Sequence, residues 1–167
     1  GTIIIGYLNK SKPVSVFNYY FFTVLTGSME NELHPGDNII VKKQKEYKIG
    51  DIVTFEAPSR DYKKWEADQT NPVAIYENEP QGFINRFIYY NLELTKKSYI
   101  KRVIALEGDH VKIENSIVYV NGRILDEEYL QPDVVTETEV FHDFIVPEGY
   151  VFCMGDNRAK STDCREF

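Results

Sequence analysis

The sequence predicts an all-β fold made of folded antiparallel sheets or a partly open barrel, with an inserted α-helical or irregular segment. Aromatic residues are frequent, with 12 Tyr and 10 Phe among 167 residues, and they favour strands over helices. Short β-rich runs recur with turn residues between them, and helical periodicity is scarce. Hydrophobic residues make up 43% of the chain, which is enough for the core of one domain of this length.

Strands are predicted in two blocks, one on each side of residues 57–98. In the first block, two β-rich runs are separated by a polar stretch that ends at Gly50. In the second block, Asn115-Ser116 and Asn121-Gly122 supply turns between short alternating runs. The predicted strands are Asn38–Lys43, Asp51–Glu56, Tyr99–Leu106, His110–Glu114, Ile117–Val120, Phe144–Val146 and Tyr150–Met154.

Residues 57–98 differ from the two blocks, because they are rich in Asn, Glu, Lys and aromatic residues and contain three prolines. We interpret them as an insertion or cap within a β domain formed by residues 1–56 and 99–167. A long excursion that packs on the domain without a function of its own is the equal alternative. Near-helical spacing predicts a short amphipathic helix that includes Phe83, Phe87 and Tyr90–Asn91.

Charge and ligand types exclude several classes of protein. The net charge of −7 leaves no broad basic face for a nucleic acid. The three histidines show no ligand spacing, and two cysteines are too few for a Cys-based zinc site or a disulfide scaffold. Cys153 and Cys164 are able to bridge in an oxidising compartment or to serve as small buried apolar residues. We favour free thiols.

Four short segments carry the candidate chemistry. They are Thr-Gly-Ser-Met at residues 26–29, Gly-Asp-Ile-Val-x-Phe at 50–55, Tyr-Ile-Lys-Arg-Val at 99–103 with a trailing Gly-Asp, and Gly-Asp-Asn-Arg-x-x-Ser-x-Asp-x-Arg at 155–165. Any one Gly-Asp pair is explained by a turn. Together and in this order, the segments resemble the bacterial type I signal peptidases, over residues 22–56 and 99–167.

The resemblance implies a serine–lysine dyad. In that family's pattern, Ser28 is the nucleophile and Lys101 is its general base. The Thr26 hydroxyl joins the Ser28 backbone N–H in the oxyanion hole, and Ser161 orients the lysine. The implied supporting residues are Asp156, Arg158, Asp163 and Arg165, and the implied substrate pocket is lined by Val24, Met29 and Ile100.

The sequence around Lys101 suits these roles. A serine hydroxyl is a poor nucleophile unless a neighbouring base accepts its proton. Lysine serves as that base only when neutral, and burial among apolar groups lowers its pKa because the ammonium form is desolvated. Ile100, Val103 and Ile104 supply apolar neighbours, and strand alternation directs Arg102 to the opposite face.

The resemblance implies a serine endopeptidase that removes signal peptides from secretory precursors after a small-x-small motif, with no cofactor or metal. Its partners are then those signal peptides and a membrane lipid surface, with no nucleic acid, and the enzyme is a monomer at the outer face of the bacterial cytoplasmic membrane. The family's N-terminal anchor is expected to be missing from this chain. The aromatic run Phe17–Phe22 either dips into the membrane interface or forms a buried strand.

Three other interpretations compete with this one. A self-cleaving repressor-type domain uses the same Ser–Lys chemistry, but it requires an Ala-Gly or Cys-Gly bond ahead of the serine, and residues 1–27 contain none. A catalytically dead β-module that binds extended peptides needs neither Ser28 nor Lys101. A Ser-His-Asp triad through His142-Asp143 is weaker, because adjacent strand residues face opposite ways.

The sequence also departs from the family pattern. The Ser-Met segment usually continues with Pro-Thr or Pro-Ser, whereas this chain has Glu30-Asn31-Glu32. Cys164 stands where a serine is usual, and relatives are expected to continue for a further strand beyond Phe167. The first departure leaves open how the turn after Ser28 is held.

Overall fold

The structure, a computed structural model, describes residues 19–58, 81–87, 98–138 and 141–166. Within these ranges every strand pair is antiparallel, so the predicted all-β antiparallel class is confirmed. The strands are β1 Tyr19–Thr23, β2 Asn38–Lys42, β3 Ile52–Glu56, β4 Ser98–Ala105, β5 His110–Glu114, β6 Ile117–Val120, β7 Arg123–Ile124, β8 Asp143–Ile145 and β9 Phe152–Met154. Helix α1 spans Phe83–Phe87, and a 3-10 turn spans Gly27–Met29.

The described strands form three sheets, with orders β1-β2, β3-β4-β9 and β7-β6-β5-β8. The last sheet is built from tight hairpins. Asn115 and Ser116 adopt φ values of 52° and 65° between β5 and β6, which is the left-handed geometry that a two-residue hairpin turn requires. Asn121-Gly122 makes the same kind of turn between β6 and β7, with φ values of 52° and 74°.

The predicted strands match the structure to within one or two residues at their ends. The run Phe17–Phe22 overlaps β1, whose residues Tyr19–Thr23 pair with β2. The strand interpretation is therefore correct for the described part of that run, although Tyr19 is half exposed rather than buried. Residues 17 and 18 lie outside the described ranges. The short strand β7 was not predicted, because two residues are too few to show alternation.

Two clusters of buried side chains form the core, and β4 contributes to both of them. Val103 belongs to the first cluster, whereas Ile104 and Ala105 belong to the second. The neighbouring strand β9 divides in the same way, with Cys153 in the first cluster and Phe152 in the second. Because β4 lies between the two clusters, its backbone is held firmly on both faces. This strand carries Lys101.

The predicted helix in residues 57–98 is present as α1 over its described part. Phe83 is 85% exposed and Ile84 is 71% exposed, so these apolar side chains are not packed into the core clusters. The Tyr90–Asn91 part of the prediction lies outside the described residues. Across the ranges that the structure describes, no helix has the length and apolar character needed to cross a bilayer.

Candidate active site

Ser28 lies in the 3-10 turn that connects β1 to the loop before β2. Its neighbour Met29 is 1% exposed and packs into the first core cluster, which anchors the turn. Ser28 itself is 7% exposed. The Thr26 hydroxyl donates a long hydrogen bond to Ser28 Oγ at 3.4 Å. The turn therefore brings the two hydroxyl groups together at the edge of the core.

Lys101 reaches the same point from β4. Its Nζ donates to Ser28 Oγ at 2.9 Å and to the backbone carbonyl oxygen of Ile100 at 2.9 Å. The side chain is almost fully buried. Burial lowers the pKa of Lys101 from its ordinary value, and the Asp163 carboxylate partly opposes this shift. Ser28 thus contacts an amine that loses its proton more easily than a solvated lysine does.

The loop at residues 155–165 closes the site from the other side. The Asn157 backbone N–H donates to the Ser28 carbonyl oxygen at 3.0 Å. Gly155 packs so closely that a methyl group built on it would lie 2.5 Å from the same carbonyl oxygen and closer still to Ser161. The Gly155 backbone N–H donates to Asp163 Oδ2 at 2.9 Å. The loop is therefore in direct backbone contact with the turn that carries Ser28.

Asp163 and Arg165 form a buried ion pair beneath this loop. Arg165 donates to both carboxylate oxygens, from Nε at 2.8 Å and from Nη2 at 3.0 Å. Its Nη2 also donates to the Arg158 carbonyl oxygen at 2.8 Å. A carboxylate buried this deeply is stable only when its charge and its lone pairs are satisfied. The structure brings together the pair that the resemblance implied.

A second ion pair joins β4 to the loop. Arg102 donates to Asp156 from Nε at 2.8 Å and from Nη2 at 2.6 Å, while its Nη1 donates to the Gly50 carbonyl oxygen at 2.9 Å. The guanidinium carbon also lies 4.0 Å from the centre of the Tyr129 ring. Strand alternation directs Arg102 to the face opposite Lys101, as expected. Asp156 thereby fixes the loop to the strand of the candidate base.

Arg158 is held by residues that the sequence analysis missed. Its side chain donates to Glu127 and to the Thr136 hydroxyl, the latter at 2.6 Å. The Tyr129 hydroxyl donates to the same Glu127 carboxylate at 2.8 Å, and burial together with that carboxylate raises the pKa of Tyr129. Glu127, Tyr129 and Thr136, which follow β7 in the chain, thus support the loop at residues 155–165 through Arg158. No spacing in the sequence links Glu127 to Arg158, so only the structure identifies the pair.

Comparison with known proteins decides the family. The family described as "Signal peptidase, peptidase S26" matches residues 7–167 of the chain. The chain belongs to the peptidase S26 family of signal peptidases. This membership confirms the resemblance that the four sequence segments indicated.

The chain is also similar to individual signal peptidases. The chain is 40% identical over 98 residues to signal peptidase I of Bacillus caldolyticus, and this match covers 52% of the chain and 54% of that protein. It is 35% identical over 141 residues to probable signal peptidase I-1 of Synechocystis sp., and this match covers 81% of the chain and 56% of that protein. A crystal structure of a signal peptidase I from Enterococcus faecalis has 31% sequence identity and a TM-score of 0.35, and the match covers 43% of this chain and 74% of that one. The chain spans about half the length of these two curated relatives.

Not every residue implied by the family pattern makes the contact expected of it. The Ser161 hydroxyl is buried beside Gly155, but it has no hydrogen-bond partner among the described residues. The described hydrogen bonds of Lys101 Nζ go elsewhere, so the expected orienting bond is not formed here. Val24 and Met29 are buried in the first core cluster, whereas Ile100 is half-buried against it. Of the three implied pocket residues, Ile100 therefore presents the most surface.

In the alternative Ser-His-Asp triad, the carboxylate of Asp143 pairs with a different histidine from the one predicted. Asp143 pairs with His110 Nε2 at 2.7 Å on an exposed sheet face, and that hydrogen bond lowers the pKa of Asp143.

The described part of the chain holds no group of three or more potential metal ligands among His, Cys, Asp and Glu. Cys153 and Cys164 are free thiols. Their mutual contact, together with burial, raises the pKa of Cys153.

Proposed function

We propose that this chain is a serine endopeptidase that removes N-terminal signal peptides from secretory precursors after a small-x-small motif. The observation that carries the proposal is the buried contact of 2.9 Å between Lys101 Nζ and Ser28 Oγ. Family membership supports the reaction class, and the lowered pKa of Lys101 supports its role as the base. In this proposal residues 1–56 and 99–167 form the catalytic domain, and residues 57–98 are an insertion or cap within it.

The reaction proceeds in two steps with Lys101 as the base in both. Neutral Lys101 accepts the Ser28 hydroxyl proton while Ser28 Oγ attacks the scissile carbonyl carbon. The tetrahedral intermediate collapses, the C–N bond breaks, and the leaving amine takes the proton from Lys101. A water molecule then gives a proton to Lys101 and attacks the acyl carbonyl carbon. The ester C–O bond to Ser28 breaks, Ser28 Oγ takes the proton back from Lys101, and the signal peptide leaves with a new carboxyl end, so that Ser28 and neutral Lys101 are both restored.

The developing oxyanion needs donors, and the turn supplies two candidates. They are the Ser28 backbone N–H and the Thr26 hydroxyl, which lies 3.4 Å from Ser28 Oγ. Preorganised donors of this kind stabilise the transition state more than the ground state. Ser161 remains the proposed orienting residue. Its Oγ is available to accept a hydrogen bond from Lys101 Nζ once acylation has occupied Ser28 Oγ.

The substrate is proposed to bind as an extended strand whose alternate side chains enter small pockets. Small pockets reject larger side chains by steric clash. Val24, Met29 and Ile100 are the proposed lining, with Ile100 the most accessible of the three. The proposed setting is the outer face of a bacterial cytoplasmic membrane, with the lipid surface as a second partner of a monomeric enzyme.

The proposal is tested by cleavage of a peptide with Ala-x-Ala before the scissile bond, in detergent or lipid. We expect cleavage after the second Ala, and we expect it to vanish in Ser28→Ala and in Lys101→Met. Lys160→Met is the matched control, because Lys160 is exposed and lies in the loop beside the site. Activity should rise with pH through a midpoint below the ordinary lysine value of 10.5, since only the neutral amine accepts the proton. Cleavage that persists in Lys101→Met would show that another group is the base.

A further inference from the structure

The turn after Ser28 is held by side chains that the family's usual Pro-Thr continuation does not provide. The Glu30 side chain folds back over the turn, and a methyl group built on Gly27 would lie 2.6 Å from the Glu30 carboxyl carbon. The carboxylate therefore occupies the space that a side chain at residue 27 would need. Gly27 and Glu30 are packed against each other immediately beside the nucleophile.

The Glu30 carboxylate is also bonded to the loop that closes the site. Asn157 Nδ2 donates to Glu30 Oε2 at 3.0 Å, while the backbone N–H of Asn157 donates to the Ser28 carbonyl oxygen at 3.0 Å. Asn157 thus donates two hydrogen bonds to the turn, one from its backbone and one from its side chain. We call this set of contacts among Gly27, Ser28, Glu30 and Asn157 the Glu30 clamp.

The clamp has a direct consequence for the proposed oxyanion donor. The Glu30 backbone N–H donates to the Gly27 carbonyl oxygen at 3.3 Å. That carbonyl belongs to the same planar peptide unit as the Ser28 N–H, and in a trans peptide the two groups point in opposite directions. Fixing the carbonyl toward Glu30 therefore fixes the Ser28 N–H on the far side of the unit. A donor stabilises an oxyanion only when its direction is set before the reaction.

We propose that Glu30 is a positioning residue, which through Asn157 holds the Gly27–Ser28 peptide unit in the orientation that the reaction needs. This inference rests on the proposed function of Ser28. The bond from Asn157 requires only an acceptor oxygen at residue 30, so an amide at that position can replace the carboxylate. The packing over Gly27 requires only that residue 27 lack a side chain. Both requirements lead to substitutions with distinct expected effects.

The test measures kcat and KM for the Ala-x-Ala peptide in a set of variants. Glu30→Ala and Asn157→Ala should each lower kcat about tenfold while KM changes less than about twofold, since the loss is in orientation and not in substrate binding. Glu30→Gln should stay within about threefold of wild type, because it keeps the acceptor. Glu46→Ala is the control, an exposed glutamate on the loop after β2, and it should leave kcat unchanged.

Gly27→Ala and Glu30→Ala together form a double-mutant cycle that decides between the two interpretations. The three atoms nearest to the added methyl group all belong to the flexible end of the Glu30 side chain, so the methyl group should displace the carboxylate and lower kcat as Glu30→Ala does. The double variant Gly27→Ala/Glu30→Ala should then be about as active as either single variant, instead of about a hundredfold slower than wild type as independent losses would give. Additive losses, or a Glu30→Gln variant as slow as Glu30→Ala, would overturn the positioning role.

Failure of the two proposals is distinguishable. If the wild type cleaves the peptide and Ser28→Ala does not, additive losses in the cycle overturn the Glu30 clamp alone. If the wild type fails to cleave, the proposed function falls, and with it the catalytic part of this inference. The melting temperatures of Glu30→Ala, Asn157→Ala and their double variant then decide whether the clamp exists. Non-additive shifts support it, and additive shifts overturn it.

Discussion

Gly155→Ala is the most informative single change at the candidate site, because the added atom meets backbone as well as side chain. A Cβ built on Gly155 lies 2.5 Å from the Ser28 carbonyl oxygen, and real Cβ atoms essentially never come within 3.0 Å of such an atom. The Ser161 side chain is closer still, but the carbonyl has no rotamer with which to move away. Restoring ordinary contact requires the loop and the turn that carries Ser28 to separate by roughly 1 Å.

That separation should lower the rate of catalysis strongly and the free energy of unfolding moderately. Misplacing a reacting group by about 1 Å can lower the rate about a hundredfold. Overpacking a well-packed site lowers the free energy of unfolding by about 1–3 kcal/mol. We therefore expect kcat for the Ala-x-Ala peptide to fall about a hundredfold. The melting temperature should fall by several degrees while unfolding remains cooperative.

Two further variants make the reasoning falsifiable. Ala159→Val adds bulk at an exposed position of the same loop and should leave kcat within about twofold. Gly155→Ala/Ser161→Gly removes the side-chain clash but not the clash with the Ser28 carbonyl oxygen, so it should be slower than Ser161→Gly alone. Full activity in Gly155→Ala, or its recovery in the double variant, would refute the argument from the Ser28 backbone.

Three other changes probe the electrostatics of the site. The folded-state pKa of Lys101 is lowered, so the free-energy cost of burying its charge is fully present below that pKa and disappears as pH rises toward the pKa of the unfolded state. Lys101→Met should therefore raise the melting temperature more at pH 7 than at pH 10. An equal gain at both pH values would contradict the lowered pKa. Asp156→Ala leaves Arg102 buried without its carboxylate and should cost about 3–5 kcal/mol in denaturant unfolding, against less than about 1 kcal/mol for the exposed control Glu114→Ala. Thr26→Val should lower kcat about a hundredfold at an unchanged melting temperature, and an unchanged rate would remove its hydroxyl from the oxyanion hole.

The fold was predictable where local chemistry decides it. The hairpin between β5 and β6 is predicted to the residue, because Asn115-Ser116 is suited to the left-handed turn and the flanking residues alternate cleanly. Strand ends elsewhere differ by one or two residues, since the hydrogen bonds that end a strand depend on its neighbour. How the strands divide among three sheets could not be predicted, because pairing between distant segments leaves no local pattern.

The candidate site was predictable only in part, and for a related reason. The positions of Ser28 and Lys101 came from motif order, and the structure brings the two side chains together. The partner of Arg158 could not be predicted, because the chain holds 26 acidic residues and a buried arginine requires a carboxylate without specifying which one. Glu30 was seen only as a departure from the family pattern. Its contacts with Gly27 and Asn157 depend on the tertiary structure.

The two cations of β4 show how one strand provides both chemistry and support. Arg102 is matched by the Asp156 carboxylate in two hydrogen bonds, so it stays charged and fastens the loop. Lys101, on the other face, donates to a hydroxyl and a carbonyl oxygen, and its burial lowers its pKa.

Asp163 is the group whose charge most opposes that shift in Lys101. Both of its oxygens accept hydrogen bonds from Arg165, and one also accepts from the Gly155 N–H. Arg165 balances this negative charge through hydrogen bonds, although Asp163 still favours the ammonium form of Lys101. The ion pair that the family pattern assigns to structural support therefore also bears on the protonation of the candidate base, because Asp163 raises the pKa of Lys101 while burial lowers it. Stability and reactivity at this site depend on the same placement of charge.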